Sequence, residues 1–297
     1  MSASARLQIR SNAVEVRRGQ EFLFRDNYNR QPFELSHNLS PHPLFQRSRL
    51  AGLVKTIAEH HSDRLYCNVG RLGIGRGWDY TTTDRSFSAQ EAFEEIETAE
   101  AWIILKGVQV VPEYEQLLRQ ILSEIHEASG RNLERDTKNW NISIIISSPN
   151  RITPYHMDAD CNYLLQLHGT KTAYVFNGND RSVVTTRELE QFFLGDINAA
   201  EYKEVSQAGA WRFELSPGRG VHVPVTFPHW VQNDDNVSIS ASINFCFVDR
   251  TIADAYRINH YLRKLGISPG EPGQSEFADS VKKLAAKTFR ALNSQRR

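Results

Sequence analysis

Short apolar or alternating runs crowd the stretch from Trp140 to Val248: "NISIIIS", "NYLLQL", "TAYVF", "WRFEL", "VHVPV" and "SISASINFCFV". Turn-forming clusters separate them, among them "SPNR", "HGT", "NGND", "SPGRG" and "NDDN". Many short strands at close spacing predict a sandwich, jelly roll or barrel. One helix interrupts them, opened by Thr185 with Glu188 three residues on and closed near Gly195. Before Trp140 the period changes. Leu50, Leu53, Val54 and Ile57 mark a helix over 44–61. Ser88 and Glu91 form a capping box that starts a helix running to about Ala99. Pro112 suits the first turn of the next helix. Leu117, Leu118, Ile121, Leu122 and Ile125 form its stripe, and Gly130 fits just past its end. Residues 1–43 read as a strand or two in loops, with "EFLF" and "QPFELS" as short aromatic-rich runs and Pro41 and Pro43 interrupting "LSPHPLF". After Arg250 the chain turns helical again, with Phe277, Val281, Leu284, Ala285 and Leu292 at helical spacing and Thr288 on the same stripe. That stripe fits equally a helix packed on its own domain and a dimer-forming tail.

The chain has no internal repeat, low-complexity tract or long Pro/Gly/Ser linker. The expectation is one integrated molecule: an N-terminal segment of strands and helices (1–139), a β core (140–250) and a C-terminal helical segment (251–297). With 297 residues, 40% of them hydrophobic, it can bury a sizeable core. Lys plus Arg and Asp plus Glu are both 35, a balance that gives no support to a nucleic-acid partner. The N-terminal stretch lacks the apolar region of a secretory signal, and the longest apolar runs are too short to span a bilayer. Three widely spaced cysteines, Cys67, Cys161 and Cys246, read as reduced thiols in a cytoplasmic protein. The glycine-rich stretch 70–77 does not open a helix after a strand, so it is not a dinucleotide fingerprint.

The chemistry concentrates in "TPYHMDADCNYLLQLHGTKTAYVF", residues 153–176. His156 and Asp158 are two apart, and on an extended chain that spacing points both to one side. An imidazole beside a carboxylate is two thirds of a facial triad, the donor set that binds Fe(II) and leaves positions open. A His-Ser-Asp at 61–63 has the same spacing but sits at a helix end, where solvated polar residues are expected. Two further features support 156 and 158. His229 follows a Pro-Gly turn, a short apolar strand and Pro224, on a late strand where a jelly roll would bring a third ligand. His222, on the strand just before, is its rival. Lys171 shares an alternating face with Ala173 and Val175. If that face is interior the ammonium needs an anionic partner, such as a dicarboxylate. If it faces out, Lys171 is an ordinary solvated residue.

At fixed offsets the sequence carries Thr153, Pro154, His156, Asp158, Asn162, Gly169 and Lys171, then Pro217, Gly218, Pro224, His229 and Asn244. This set resembles the jumonji-C and cupin-like Fe(II)- and 2-oxoglutarate-dependent oxygenases. The pattern is most similar to the asparaginyl hydroxylase branch, whose best-known member acts on a hypoxia-inducible factor. The resemblance covers about Ser143 to Val248. It departs at Cys246, where that branch often places an aromatic residue. It implies a mainly β fold with added helices: a double-stranded β-helix (jelly roll, cupin-like) core with an N-terminal α/β extension and C-terminal helices. It implies His156, Asp158 and His229 as iron ligands and Lys171 as the ion-pair partner of the distal carboxylate of 2-oxoglutarate. Thr153 would add a hydrogen bond to that carboxylate, and Asn162 and Asn244 would support the other end of the co-substrate. The implied cofactors are Fe(II), 2-oxoglutarate as co-substrate and O2, and the implied reaction hydroxylates a C–H bond.

The expected substrate is a protein or peptide side chain. The same ligands serve equally a small molecule or N-methyl-lysine demethylation. A metal-binding cupin with a sensing role and no turnover would need the two histidines and the aspartate but not Lys171, Thr153 or Asn244. The stretch 70–84 and Trp230 are candidates to line the substrate entrance, although exposed loops usually carry such residues without a role.

Overall fold

A computed structural model describes residues 13–15, 21–70, 72–75, 77 and 88–294. Most of the stretch 70–84 therefore lies outside the described residues. In chain order the strands are β1 (Val14–Glu15), β2 (Phe33–His37), β3 (Leu65–Val69), β4 (Ala101–Leu105), β5 (Thr137–Ser147) and β6 (Ile152–His156). They continue as β7 (Cys161–His168), β8 (Lys171–Val175), β9 (Trp211–Leu215), β10 (Arg219–Val223), β11 (His229–Asn233) and β12 (Ser238–Phe247). The helices are α1 (Glu21–Asn27), α2 (Arg47–His60), α3 (Ala89–Glu94), α4 (Pro112–Ser129), α5 (Leu133–Asp136), α6 (Thr186–Leu194), α7 (Thr251–Lys264) and α8 (Glu276–Ser294).

From β5 onward the chain passes back and forth between two antiparallel sheets, except that β8 and β9 are neighbours in the same one. β10, β7, β12 and β5 lie side by side in one, and β6, β11, β8 and β9 make up the other. This winding back and forth is a double-stranded β-helix. β2 and β1 extend the larger sheet beyond β10, and β4 and β3 extend it beyond β5, to eight strands in all.

The period-2 alternation of β5, β7 and β12 decides what each face meets. Ile142, Ile144 and Ile146, Tyr163, Leu165 and Leu167, and Ile239, Ala241, Ile243 and Phe245 belong to the main core. That core also takes the apolar stripes of α2 and α4. Full burial of each such aliphatic side chain stabilises the fold by roughly 1.5–3 kcal/mol. The opposite face of the same strands turns inward, where Asn141, Ser143, Asn162, Ser242 and Asn244 replace apolar residues at one end. Leu164, Ala173, Val175, Leu215, Val221, Val223 and Val231 form a buried apolar cluster in the same interior.

Both capping boxes form, Ser88 with Glu91 and Thr185 with Glu188. α3 itself ends at Glu94, and backbone turns carry the chain on to Ala99. Gly130 and Gly195 close α4 and α6 in the left-handed region. "EFLF" departs from expectation, since it opens helix α1 rather than a strand. Phe24 and Tyr28, four residues apart, are the buried positions, and Phe22 is exposed. Gly169 shows why the turn into β8 needs glycine. Its φ is +68°, and a Cβ there would lie 2.1 Å from the Val237 carbonyl oxygen.

α8 settles part of the choice left open by its stripe. Asp279 and Ala286 are buried, while Phe277 (80% exposed), Val281 (52%) and Leu284 (66%) face outward. Leu292 has no described side chain. Among the described residues no helix is long and apolar enough to cross a membrane, and all three cysteines are free thiols.

Candidate metal and co-substrate site

β6 is an edge strand among the described residues, and Pro154 falls between the register pairs His156–His229 and Thr153–Val231, where it has no partner residue. On its paired side His156 sits directly opposite His229 of β11. Two steps along β11, from His229 to Val231, match three along β6, from His156 to Thr153. That irregularity has a consequence for side-chain direction. Residues three apart on a regular strand point to opposite faces, yet Thr153 and His156 both line the same cavity.

The two imidazoles are oriented from behind. Nδ1 of His156 lies 2.7 Å from the Pro154 carbonyl oxygen, and Nδ1 of His229 lies 3.0 Å from that of Phe227. A carbonyl only accepts, so each Nδ1 carries a proton, and it is Nε2 that offers a lone pair when the ring is neutral. These Nε2 atoms lie 4.0 Å and 3.7 Å from the Asp158 carboxylate. The Asp158 backbone is fixed as well, its carbonyl accepting from the Thr226 N–H at 2.9 Å. Thr226 has φ +62°, a conformation that β-branched residues seldom adopt.

One donor atom from each of His156, Asp158 and His229 lies within 4.8 Å of the others, the one such group of His, Cys, Asp or Glu among the described residues. Burial first, and then the neighbouring His156, pushes the His229 imidazole down to about 4, with Asp158 opposing. His229 is therefore neutral at pH 7. Neutral lone pairs and a carboxylate aimed at one point repel one another unless a cation sits between them, so the donor set fits a metal ion. His61 and Asp63 take no part in it. Nor does His222, which is fully buried on β10 and spent on structure. Its Nε2 accepts from the Asn29 N–H at 3.0 Å and its Nδ1 lies 3.1 Å from the Asn162 carbonyl. Burial holds that imidazole down at about 3.

Lys171 resolves the other open alternative. It begins β8, is 4% exposed and lines the same cavity as Ala173 and Val175. Its face is interior. Among the described residues no carboxylate forms an ion pair with it, and burial alone lowers its ammonium to about 7. Val175 is opposite His229, so Lys171 lies four residues further along β8, a backbone distance of about 13 Å. An extended lysine side chain and a five-carbon diacid together span that gap.

The cavity measures about 740 Å³, and Thr153, His156, Asp158, Asn162, Lys171, His229 and Asn244 all line it. Register places Asn162, Asn244 and Asn141 side by side on β7, β12 and β5. The Asn162 amide donates to Ser242 Oγ at 2.7 Å and to Asn244 Oδ1 at 2.5 Å, and Asn244 donates to Asn141 Oδ1 at 3.3 Å. Sequence reasoning missed Asn141, Ser143 and Ser242. The available signal was a polar residue at every second position of strands whose other face is wholly apolar. Cys246 lies outside this cavity and donates to Asp160 Oδ1 at 2.8 Å, with burial pushing its thiol up to about 11.

A double-stranded β-helix with a His-Asp-His cluster at one end is the class that these features define. Three solved structures share the fold. They are the X-ray structure of Escherichia coli YcfD (15% identity, TM-score 0.56, 93% of this chain and 68% of that one), E. coli ribosomal oxygenase YcfD (14%, 0.52, 93% and 67%), and YcfD, a ribosomal oxygenase from E. coli, in complex with cobalt and 2-oxoglutarate (16%, 0.52, 94% and 68%). No protein-family model and no curated protein matches the sequence.

Proposed function

We propose that the protein is an Fe(II)- and 2-oxoglutarate-dependent oxygenase that hydroxylates a protein or peptide side chain. The observation that carries this reading is the shared cavity: a metal-competent triad at one point and, along β8, a buried ammonium without an anion among the described residues. The fold likeness to a ribosomal oxygenase whose structure holds cobalt and 2-oxoglutarate supports it. His156, Asp158 and His229 would hold the metal from one side. Fe(II), when bound with the 2-oxo acid and O2, supplies the oxidative chemistry that converts the 2-oxo acid to succinate and CO2 and hydroxylates a C–H bond. Lys171 would pair with the distal carboxylate, the Thr153 hydroxyl would donate to it, and Asn162 and Asn244 would bound the other end. Ala173, Val175, Leu164 and Val231 wall the cavity with apolar surface. No side chain has to remove a proton. A cupin without turnover would have no use for an unpaired buried lysine, which costs folding free energy.

The outcome is read by mass spectrometry of peptides incubated with enzyme, Fe(II) and 2-oxoglutarate. Gain of one oxygen atom with matched succinate is expected. Loss of a methyl group would instead make the chain a demethylase. Cytoplasmic placement belongs to the same proposal, on the three free thiols.

The outward face of α8 supports a homodimer. Phe277, Val281 and Leu284 remain exposed, with Tyr261, Leu265 and Ile267 also uncovered on α7 and just after it. Light scattering should give twice the chain mass for wild type and a monomer for Phe277→Asp/Leu284→Asp. A monomeric wild type removes the proposal.

A further inference from the structure

A second depression, of about 940 Å³, adjoins the metal cavity and shares Ala159, Phe193 and Arg257 with it. It lies at the end of the barrel that carries the triad. Its walls include the β10–β11 connection just before His229 and the segment that leaves β12. Among the described residues six arginines line it against two aspartates, in a chain whose formal charge is zero.

Both aspartates are already neutralised, Asp136 by Arg135 at 2.7 Å and Asp249 by Lys283 at 2.8 Å. Arg181 pairs with Glu271 and Arg257 with Asp254. Arg30, Arg131 and Arg250 remain. None of them has an ion-pair partner among the described residues. Arg131 sits 6.0 Å from the Tyr28 ring centroid, and Arg250 acts on Asp160 only through space, Asp160 being hydrogen-bonded to Cys246. Apolar side chains line the depression as well, among them Phe193, Val225, Phe227 and Phe247. Guanidinium groups match carboxylates in planar, two-pronged geometry. A phosphate backbone favours a continuous cationic track and a basic excess, whereas separate arginines in a depression that also has apolar lining suit a segment of acidic and apolar side chains.

We propose that this groove is a docking surface for an acidic polypeptide segment, and that a protein substrate carries such a segment beside the residue to be oxidised. The second half rests on the oxygenase reading given above. The test needs neither metal nor co-substrate, so the two can fail separately. A randomised peptide library, with Asp, Glu, Lys, Arg, Gln, Ala, Leu and Phe at every position, is passed over immobilised full-length protein beside a random-sequence RNA pool. Retained peptides should be enriched in Asp and Glu together with Leu and Phe. For the best of them, Arg30→Gln/Arg131→Gln/Arg250→Gln should weaken binding about tenfold, with the loss shrinking as salt is raised. Unchanged circular dichroism would show that the variant is folded. Retention of nothing, of basic or uncharged peptides, or of RNA in preference, or equal binding by the variant, would overturn the proposal. Charge-selective binding by a protein that fails to bind 2-oxoglutarate would leave the groove standing and remove only its link to oxidation.

Discussion

Asp158→Ala is expected to abolish turnover and to weaken Fe(II) binding at least about a hundredfold. The carboxylate is the only anion in the triad, and without it two neutral imidazoles must hold a dication alone. The variant should fold normally. The Asp158 side chain is 37% exposed to the cavity, and the contact that ties it to Thr226 uses its backbone carbonyl. His229→Ala should remove metal too, but it also deletes a buried ring and so mixes ligand loss with a packing defect. Anaerobic Fe(II) titration by calorimetry, with a melting curve for each variant, separates the two effects. Wild-type affinity in Asp158→Ala would remove that residue from the ligand set.

Lys171→Met should act in opposite directions on folding and on co-substrate binding. The apo protein should melt higher, because the substitution replaces a desolvated amine with an apolar side chain of similar length. The concentration of 2-oxoglutarate needed for half-saturation should rise by about two orders of magnitude, the effect of removing one partner of a buried ion pair. The pH dependence has a definite sign. In the apo fold the ammonium is lowered from 10.5 to about 7. Between those values the unfolded chain holds a proton that the folded chain lacks, so stability rises with pH across that window. The desolvation cost is full below about 7 and gone above about 10.5. A bound carboxylate restores the proton, so 2-oxoglutarate affinity should fall by up to about tenfold per pH unit above 7. Both pH effects should be absent in Lys171→Met. Binding measured at pH 7, 8 and 9 on both proteins decides it, and parallel profiles would contradict the pairing.

The sequence was most legible where one constraint acts alone. The capping boxes at Ser88 and Thr185 need only the adjoining turn, whereas the spacing of His156 and Asp158 recurs at 61–63 and is singled out only with His229 and Lys171 beside it. The direction of Lys171 was not legible, because an alternating strand has two faces and only the second sheet says which is inside. Thr153 and His156 illustrate a subtler limit. Their odd spacing puts them on opposite sides of a regular strand, and the irregular β6–β11 pairing that reunites them depends on β11. "AWIIL" is buried at all five positions of β4, so it lacks the alternation that marks a strand with one wet face. "EFLF" is too short for its period to be read without Tyr28, four residues beyond Phe24. His222 matched the chemistry of a ligand, and only its contacts with Asn29 and Asn162 show that both ring nitrogens are already engaged.

The central claim is that two histidines and an aspartate hold Fe(II) in the cavity where Lys171 receives a 2-oxo acid. The direct measurement is anaerobic addition of Fe(II) and then 2-oxoglutarate to the full-length protein, followed by visible absorption. A weak metal-to-ligand charge-transfer band should appear in wild type only when both are present, and should be lost in Asp158→Ala. Absence of that band from folded, Fe(II)-loaded wild type at saturating 2-oxoglutarate would contradict the account.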